Sequence, residues 1–335
     1  MSSAAIVILN YNGREMLETF LPSVIANSHV DIWVIDNNSV DDSIPFLEEK
    51  FPQIQVLKSS QNLGYAGGYN WGLDQLRNDY DYHILLNSDV EVTKNWDIDL
   101  VRALEVMPDY AAIQPKILSW TSKNKFDYAG AGGGFVDAYG YPYCRGRIMD
   151  QIEQDSGQYD DSIDVDWASG ACFIVRSEVF HQFDGFDASF FAHMEEIDLC
   201  WRLRKSGWKI GYKGDISVYH LGGGTLQRSS PHKLYLNIRN SLSMIYKNES
   251  TASFEKIYWV KYLLEHLAIL SYRIKGQKEL AKAIRRGYTD FTSIKKSLRK
   301  FQTPICEGKE IKSKSPVTFL VWQWVVLRKK KFSAF

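Results

Sequence analysis

Three small oxygen-bearing side chains follow directly after a short apolar run in the first third of the chain. Residues 84–86 are typical of a buried strand, and Asn87, Ser88 and Asp89 come next. A strand that delivers an aspartate at its carboxyl end places it in the crevice where open α/β sheets bind ligands. Divalent cations prefer oxygen ligands and often hold a substrate's phosphates through one or two carboxylates, so Asp89 can bind such a cation. Asn87 or Ser88 can then reach a sugar, a ribose or a metal-bound water. The alternative is an ordinary turn, because all three residue types favour turns.

Two earlier predicted strands end in the same kind of polar loop. Residues 4–9 and 31–35 are compact runs rich in Ile and Val, and each precedes a segment with helical character. Strands that alternate with helices imply right-handed crossovers and a parallel sheet, so we expect the loops after these strands to line one crevice. The candidate ligand-binding residues are Asn10, Tyr11 and Asn12 after the first strand and Asp36 and Asn38 after the second.

A glycine-rich segment follows the third strand, which is predicted at residues 54–57. It runs Asn-Leu-Gly-Tyr-Ala-Gly-Gly-Tyr-Asn from Asn62 to Asn70 and leads into a helix. Backbone N–H groups at the start of a helix can bind phosphate, which makes Asn62, Gly64 and Gly67 candidate contacts. The segment has neither the Walker spacing nor the Rossmann glycine pattern. A tight loop that needs positive φ explains the glycines equally well.

The composition excludes several classes of protein. The chain has 335 residues, of which 45% are hydrophobic, so it can bury a full core and disorder is not indicated. Its 40 Lys plus Arg balance 40 Asp plus Glu, which argues against nucleic-acid binding through bulk charge. Four widely spaced cysteines indicate neither a metal site nor a disulfide scaffold, and the sequence has no signal peptide and no apolar run of about 20 residues. We therefore expect a cytoplasmic protein that works without nucleic acid.

The motifs, taken in order, resemble those of family 2 glycosyltransferases, and most of all the bacterial rhamnosyltransferase-like branch with the GT-A fold. The resemblance continues beyond Asp89 through residues 166–172, 190–202 and 218–223. It implies a GT-A-like α/β domain over residues 1–245, with a mostly parallel central sheet flanked by helices. Residues 246–335 are then expected to form a helical C-terminal extension.

The same resemblance implies roles for residues in the second half of this domain. Glu196 occupies the position of the family's catalytic base, and Glu195 and Asp198 lie beside it in the acidic motif. The implied metal ligands are Asp89 and His220, and His220 also ends a predicted strand, although a lone histidine is more often structural. The nucleotide-sugar site is expected to include Trp167, Gly170 and Arg239, and Arg239 is equally well explained as an exposed charge on a helix.

Two motifs depart from the family pattern. The metal motif is usually Asp-x-Asp, whereas this chain has Asn-Ser-Asp at residues 87–89. The acidic motif is usually Glu-Asp-x-Asp, whereas this chain has Glu-Glu-Ile-Asp at residues 195–198. Because Glu196 is one methylene longer than Asp, the second departure leaves open whether Glu196 or Asp198 is the base. Carboxylates in the first turn of a helix are also favoured by the helix dipole, so a purely structural role is available to this motif.

The resemblance implies an inverting glycosyltransferase that moves a sugar from a nucleoside-diphosphate donor to a glycan or lipid-linked acceptor in cell-surface polysaccharide synthesis. It favours rhamnose, a dTDP- or UDP-sugar as donor, and Mn²⁺ or Mg²⁺ as the cation. One base and one cation suffice for inverting transfer, because the base takes the proton of the acceptor hydroxyl and the cation neutralises the charge of the leaving diphosphate. The alternative is a non-catalytic sugar-nucleotide-binding or scaffold protein of the same fold, since Glu196 replaces the family's Asp.

The C-terminal segment combines an apolar stretch with a basic cluster. Residues 317–327 are rich in Trp, Val and Leu, and Arg328 to Lys331 are all basic. This pattern suits a helix that lies in a membrane interface, close to anionic lipid. The alternatives are a helix docked on the catalytic domain and a helix docked on a second protomer. Peripheral membrane contact and a homodimer are therefore competing expectations.

Overall fold

The computed structural model describes residues 2–222, 230–301 and 310–335. Cys306 lies outside the described residues, and the other three cysteines are buried free thiols. The strands are β1 (Ala4–Asn10), β2 (Asp31–Asp36), β3 (Gln55–Lys58), β4 (Tyr82–Asn87), β5 (Val90–Val92), β6 (Tyr110–Ser119), β7 (Gly134–Val136), β8 (Pro142–Cys144), β9 (Arg147–Ile148), β10 (Gln151–Ile152), β11 (Ser162–Val165), β12 (Cys172–Arg176) and β13 (Lys209–His220). The helices are α1 (Arg14–Asn27), α2 (Ser43–Lys50), α3 (Gly64–Gln75), α4 (Trp96–Glu105), α5 (Ser177–Gln182), α6 (Glu195–Lys205), α7 (Pro231–Asn248), α8 (Thr251–Ile274), α9 (Lys278–Ile294) and α10 (Leu320–Val325), with 3₁₀ turns at Ala188–Phe190 and Phe332–Ala334.

Nine strands of the described residues form one mixed sheet. Its order is β11-β13-β6-β12-β4-β1-β2-β3, and β5 pairs with β13. The pairs among β3, β2, β1 and β4 are parallel, as is the pair of β6 with β13. Strand β12 runs antiparallel to both of its neighbours. The predicted α/β class is confirmed, and the parallel half of the sheet is the part that the strand-helix alternation indicated.

Side chains alternate between two cores on the two faces of the sheet. In β1, Ile6 and Ile8 belong to the core that contains buried residues of α1, α2 and α4. Ala5 and Val7 belong to the other core, together with residues of α3, α5 and α6. This period of two explains why the strands are almost continuously apolar, since both of their faces are covered.

The register brings the ends of non-consecutive strands together. Asn10 lies opposite Asp36, and Leu9 lies opposite Asn87, so the carboxyl ends of β1, β2 and β4 are adjacent. The last residue of β13, His220, pairs with the first residue of β5, Val90. The polar loops predicted from the sequence therefore share one edge of the sheet, the edge at which open α/β sheets bind ligands.

The C-terminal part of the chain packs back onto β7 and the loop after β11. Helix α7 runs through the boundary predicted at residue 245. The ring of Phe332 stacks on Phe135 with centroids 5.7 Å apart, and the Ser313 hydroxyl donates to the Asp166 carboxylate (2.5 Å). Among the helices of the three described ranges, none is both long enough and apolar enough to cross a bilayer.

Candidate active site

The loops after β1 and β2 are joined by side-chain hydrogen bonds. The Asn10 amide donates to Oδ1 of Asp36 and to Oγ of Ser39, both at 3.1 Å. The Ser39 N–H donates to Oδ2 of Asp36 (3.0 Å). Asn10 and Asp36 are buried, and Oδ1 of Asn10 has no hydrogen-bond partner among the described residues. The two strand ends thus form one polar cluster with an acceptor atom still unused.

The other predicted residues of these loops, Tyr11, Asn12 and Asn38, are all exposed. Asn12 and Asn38 have left-handed backbones, with φ of 51° and 64°, which asparagine tolerates better than most residues. The side chain of Asn12 accepts the N–H of Val40 (2.8 Å) and so holds the neighbouring loop. The ring of Tyr11 is 41% exposed and is therefore accessible for packing on a ligand.

The glycine-rich segment lies largely inside α3, which begins at Gly64 rather than close to Asn70. Gly64 has φ of 71°, and its N–H donates to Oδ1 of Asn62 (2.9 Å). The carbonyl of Phe191 accepts the next two N–H groups of the helix, at 2.6 and 3.2 Å. Gly67 is buried in the helix. Since protein acceptors already take these first N–H groups, the structure favours packing over a phosphate cradle as the reason for the glycines. Contact of Asn62, Gly64 and Gly67 with a ligand stays a prediction.

Asp89 and His220 meet at the carboxyl edge of the sheet. Nε2 of His220 lies 3.1 Å from Oδ1 of Asp89, and the Gly222 N–H donates to Oδ2 of Asp89 (3.2 Å). Both side chains are buried. Asn87 and Ser88, directly before Asp89, are partly buried. The two residues predicted as metal ligands are therefore neighbours, although they come from distant parts of the chain.

His220 has a second carboxylate partner that the sequence did not indicate. Nδ1 of His220 lies 3.2 Å from Oδ2 of the buried Asp127. Burial alone lowers the pKa of the imidazole, but the charge of Asp89 and hydrogen bonds to both carboxylates raise this pKa to about 10. Asp127 lies in a loop after β6, and no local motif links it to His220. The fold alone makes this contact.

The Asp89–His220 pair fits part of a divalent-cation site. A carboxylate with an imidazole suits Mn²⁺ or Mg²⁺, and a carboxylate at the far ring nitrogen is the usual way to orient a metal-binding histidine. Within residues 2–222, 230–301 and 310–335, no three His, Cys, Asp or Glu side chains are grouped so as to hold an ion. A cation here would take its other ligands from a diphosphate and water, as such cations commonly do.

The three predicted carboxylates lie in the first turn of α6 but have different surroundings. Asp198 is fully buried, and its two oxygens accept from Arg202 (2.9 Å), Lys247 (3.0 Å) and Asn248 (2.8 Å). Lys247 and Asn248 lie on α7, so their contacts with Asp198 tie α6 to α7. Asp198 thus anchors the helix, and its position does not support the prediction that it stands beside an acceptor.

Glu195 and Glu196 each keep one carboxyl oxygen without a hydrogen-bond partner among the described residues. Burial raises the pKa of Glu195 well above its usual range, and the charge of Glu196 raises it further. Burial raises the pKa of the partly buried Glu196 to about 7, while backbone N–H groups at the helix start lower it. Burial therefore favours the protonated form of Glu195, while the ionisation of Glu196 falls near neutral pH, which suits Glu196 to general-base chemistry.

The loop in front of α6 is held in an uncommon conformation. Phe191, His193 and Met194 all have positive φ, at 64°, 71° and 75°. The side-chain amide of Asn240 on α7 binds this loop by donating to three of its carbonyl oxygens, those of Phe190, Ala192 and His193, at 2.8–3.0 Å. The exposed ring of Phe191 stands next to the acidic motif. Both Asn240 and Phe191 act at the site through contacts that a single-sequence motif does not indicate.

Arg239 contacts the same loop. Its guanidinium donates to the carbonyls of Ser189 (3.2 Å) and Phe190 (3.0 Å), and its Nε donates to Oδ1 of Asn240 (2.9 Å). Arg239 is thus neither a solitary exposed charge nor, as placed here, a group directed at phosphate. Its contact with the donor stays a prediction.

The segment at residues 167–171 lies between the metal-ligand pair and the acidic motif. The N–H of Asn87 donates to the carbonyl of Ala171 (3.0 Å), and the hydroxyl of Tyr65 donates to the carbonyl of Gly170 (2.7 Å). Burial raises the pKa of the Tyr65 phenol, and Tyr69, Glu195 and Glu196 raise it further, so Tyr65 lies within electrostatic reach of both glutamates. The segment is therefore hydrogen-bonded to Asn87 on one side and to Tyr65, near the acidic motif, on the other.

Trp167 belongs to this connecting segment and is buried. Its indole N–H donates to the carbonyl of Phe135 (3.0 Å), and the ring lies against Gly134 so closely that a Cβ there would stand 2.2 Å from it. The predicted residues Trp167 and Gly170 thus position the segment, and direct contact of either with a nucleotide sugar stays a prediction.

A cavity of about 570 Å³ lies at a different place, near the amino-terminal ends of β6 and β13. It is lined by side chains of the sheet and of the C-terminal segment, among them Tyr110, Ile163, Tyr212, Lys314 and Phe332. The predicted site residues do not line it. We therefore place the candidate active site at the carboxyl edge of the sheet and not in this cavity.

The sequence relatives of this chain are named as glycosyltransferases. The chain is 25% identical over 248 residues to the "Low-salt glycan biosynthesis hexosyltransferase Agl10" of Haloferax volcanii, a match that covers 72% of this chain and 74% of the relative. It is 27% identical to the "N-acetylglucosaminyl-diphospho-decaprenol L-rhamnosyltransferase" of Mycobacterium tuberculosis, over 64% of this chain and 75% of the relative. It is 24% identical to "Rhamnosyltransferase WbbL" of Escherichia coli, over 64% of this chain and 82% of the relative.

Solved structures show the fold. The mannosyltransferase PcManGT from Pyrobaculum calidifontis, in complex with GDP-Man and Mn²⁺, superposes with a TM-score of 0.54 at 10% identity, over 87% of each chain. GalNAc-T7 with UDP, GalNAc and Mn²⁺ gives a TM-score of 0.56 at 16% identity, over 74% of this chain and 48% of that one. These likenesses confirm the predicted GT-A fold.

The match that decides the family covers the parallel half of the sheet. Residues 5–182 match the sequence profile of "Glycosyl transferase family 2". Together with relatives named as hexosyl- and rhamnosyltransferases, it makes the protein a rhamnosyltransferase-like glycosyltransferase of glycan biosynthesis. The chain belongs to glycosyl transferase family 2.

Proposed function

We propose that this protein transfers a sugar, with inversion, from a nucleoside-diphosphate donor to a glycan or lipid-linked acceptor in cell-surface polysaccharide synthesis. Rhamnose is the first sugar to test, because two relatives are named as rhamnosyltransferases. The donor is a dTDP- or UDP-sugar. The name of the mycobacterial relative specifies an N-acetylglucosaminyl-diphospho-decaprenol, which is the acceptor class we assign here.

One observation carries the proposal: the segment 167–171 lies between two clusters of different chemistry. At one end, Ala171 accepts from Asn87, next to the Asp89–His220 pair. At the other end, Gly170 accepts from Tyr65, which lies within electrostatic reach of Glu195 and Glu196. Inverting transfer needs a group that binds the leaving diphosphate and a base on the acceptor side. The arrangement supplies one candidate for each.

Glu196 is the proposed base. Its carboxylate removes the proton from an acceptor hydroxyl as that oxygen attacks the anomeric carbon and the bond to the diphosphate breaks. Glu195 is more deeply buried than Glu196, and burial favours its protonated form, so Glu196 is the proposed group that ionises. Asn240 and Arg239 hold the loop in front of α6 and thereby fix the position of the base.

Asp89 and His220 are the proposed ligands of Mn²⁺ or Mg²⁺. When bound, the cation would neutralise the charge of the departing diphosphate. To bind a cation, His220 must first lose the proton that Asp89 and Asp127 stabilise on it. Asp36, Asn10 and Tyr11 are the proposed contacts to the base or ribose, because they lie on the same edge one or two strands away.

We further propose that residues 1–245 carry the chemistry, and that the remainder supports it and brings the protein to the cytoplasmic face of a membrane. We expect residues 317–327 to be the point of membrane contact, and contact of this segment with a second protomer in a homodimer is the alternative. In the structure Val317 and Leu320 are buried, while Trp322 and Val325 to Leu327 are exposed. This division is compatible with an inner face that docks on the protein and an outer face that meets lipid.

The proposal is tested by incubating the full chain with dTDP-rhamnose or UDP-sugars, a diphospholipid-linked N-acetylglucosamine acceptor, and Mn²⁺ or EDTA. We expect acceptor-dependent release of the nucleoside diphosphate that EDTA abolishes, and a product whose anomeric configuration, read by NMR, is opposite to that of the donor. Binding of a nucleotide sugar without its cleavage, across acceptors, would instead identify the protein as a non-catalytic binding or scaffold protein.

A further inference from the structure

Helix α8 presents a continuous apolar stripe to solvent. Its five members, each 55–78% exposed, recur every three or four residues and so lie on one side of the helix: Trp259, Leu263, Leu267, Leu270 and Ile274. Tyr262 is exposed beside them. Isolated exposed apolar residues are ordinary, but a stripe that runs along most of a 24-residue helix marks an interaction surface.

The opposite side of α8 is firmly packed, so the stripe does not belong to a loose helix. Phe254, Ile257 and Ile269 are buried in the main core. The buried Lys261 pairs with Glu265 (3.0 Å), and its ammonium lies 3.6 Å from the centroid of the Tyr141 ring. Because these contacts fix the rotation of the helix, the exposed face is set by the fold.

A second exposed apolar patch lies next to the first. Trp322, Val325, Val326 and Leu327 are 49–56% exposed. The turn at residues 137–141 joins the two patches, because it binds the C-terminal segment at one end and α8 at the other. Its contacts are Ala138 N–H to the Thr318 carbonyl (3.1 Å), Leu320 N–H to the Asp137 carboxylate (2.8 Å), and Tyr141 with Lys261 and Glu265.

The charges around both patches are mostly basic. Beside the stripe, Lys256, Arg273, Lys275 and Lys278 are exposed. The exposed acidic residues there are Glu255 and Glu279, and each of them pairs with a lysine of α9 or its C-terminal end, Glu255 with Lys295 (3.4 Å) and Glu279 with Lys282 (2.7 Å). Residues 311–335 contain no Asp or Glu and end in the cluster Arg328, Lys329, Lys330 and Lys331. The whole chain has as many acidic as basic residues, so this is a local concentration of positive charge.

We propose that the α8 stripe and residues 322–327 together form one face that docks on an anionic lipid bilayer without crossing it. Leucine and isoleucine would enter the headgroup region, Trp259, Tyr262 and Trp322 would lie at its boundary, and the flanking Lys and Arg would meet lipid phosphates. This inference rests on the proposed function, because docking on a membrane would bring the active site to a lipid-linked acceptor.

A bilayer fits this face better than a second copy of the chain. In a twofold dimer the same surface meets itself, so basic groups of one copy would face basic groups of the other and be repelled. An anionic bilayer offers charge of the opposite sign to all of these groups at once. It also accepts an extended apolar stripe without requiring a matching groove.

The test is co-sedimentation of the full chain with vesicles of equal parts phosphatidylcholine and phosphatidylglycerol, and with phosphatidylcholine alone. We expect binding to the anionic vesicles at low salt, weaker binding at high salt, and a loss of about tenfold or more in L267E. The matched control is V106E, which changes an exposed apolar residue directly after α4, a valine that is 75% exposed, by the same charge. Thermal unfolding checks that both variants stay folded.

The outcomes of this experiment separate membrane docking from the alternatives. Wild-type protein that ignores anionic vesicles, or an L267E variant that binds them like V106E, overturns the proposal. A lipid-free dimer that L267E dissociates, without vesicle binding, would assign the face to a homodimer and overturn it as well. Donor turnover with a water-soluble acceptor analogue is measured in parallel. Vesicle binding without any turnover would overturn the proposed function and leave the docking face in place.

Discussion

Nε2 of His220 lies 3.1 Å from Oδ1 of Asp89, and the pairing of β5 with the end of β13 brings them together. Asp89 follows a buried strand of the parallel half of the sheet, whereas His220 ends the long strand on its other side. Asp127 binds the far nitrogen of the same imidazole at 3.2 Å. A carboxylate and an oriented imidazole at one strand edge are the basis of the proposed cation site.

Asp89→Ala should abolish Mn²⁺-dependent binding of a nucleoside diphosphate, because it removes the proposed carboxylate ligand. His220→Ala should weaken metal affinity but leave the fold intact. Calorimetry with Mn²⁺ and dTDP or UDP measures both effects, with Asp99→Ala, at an exposed carboxylate on α4, as control. Unchanged metal-dependent affinity in Asp89→Ala would refute the metal assignment.

Asp36→Ala should raise the KM for the donor more than it lowers kcat. Asp36 is held by Asn10 and Ser39 at the edge of the sheet and is proposed to contact the base or ribose equally in the ground and transition states. Steady-state kinetics over a range of donor concentrations separates the two constants, with the exposed Asp74→Ala as control. An effect confined to kcat would speak against a nucleotide contact.

Asp198→Ala should destabilise the protein by about 3–5 kcal/mol, because it leaves the buried cations of Arg202 and Lys247 without their shared carboxylate. Chemical denaturation measures the change in free energy of unfolding, and Glu196→Gln serves as the control that should unfold nearly like the wild type. If Asp198→Asn kept its stability yet lost turnover, the base would be Asp198 and the assignment of Glu196 would be wrong.

Gly64→Ala should destabilise the protein more than Gly276→Ala. Both glycines have positive φ, at 71° and 74°, so both variants carry a similar backbone cost. A Cβ at Gly64 would also meet the ring of Phe191 at 2.5 Å, whereas a Cβ at Gly276 meets nothing within 4 Å. Chemical denaturation measures the free energy of unfolding of both variants, and the difference between their losses gives the cost of the steric contact with Phe191. Equal losses would mean that Phe191 moves aside at little cost, and that it is not tightly held beside the acidic motif.

Features that depend on local pattern were predictable from the sequence. Compact apolar runs ending in Asn10, Asp36 and Asp89 gave the strands and their polar ends, since period and turn chemistry are properties of neighbouring residues. The family motifs added His220 and Glu196 as candidates. The structure extends these predictions by placing Asp89 beside His220 and Glu196 at the start of a helix.

Features that depend on distant contacts were not predictable. Helix α3 begins at Gly64 because the carbonyl of Phe191, far along the chain, accepts its first N–H groups. Asp198 differs from Glu196 through its partners, Arg202 on α6 and Lys247 and Asn248 on α7. The apolar run at 317–327 is helical only at Leu320–Val325, because Val317 and Leu320 pack against the protein instead of extending a free helix.

The central claim is that Glu196 is the base, and the pH dependence of kcat in the wild type and in Glu196→Gln tests it most directly. Burial raises the pKa of Glu196 to about 7, and only the ionised carboxylate can accept a proton, so wild-type kcat should fall as pH drops below about 7 and level off above it. Glu196→Gln should lower kcat by ~10²–10⁴ and abolish this dependence, with little change in donor binding. Near-normal turnover in Glu196→Gln, with the wild-type pH profile retained, would contradict the account.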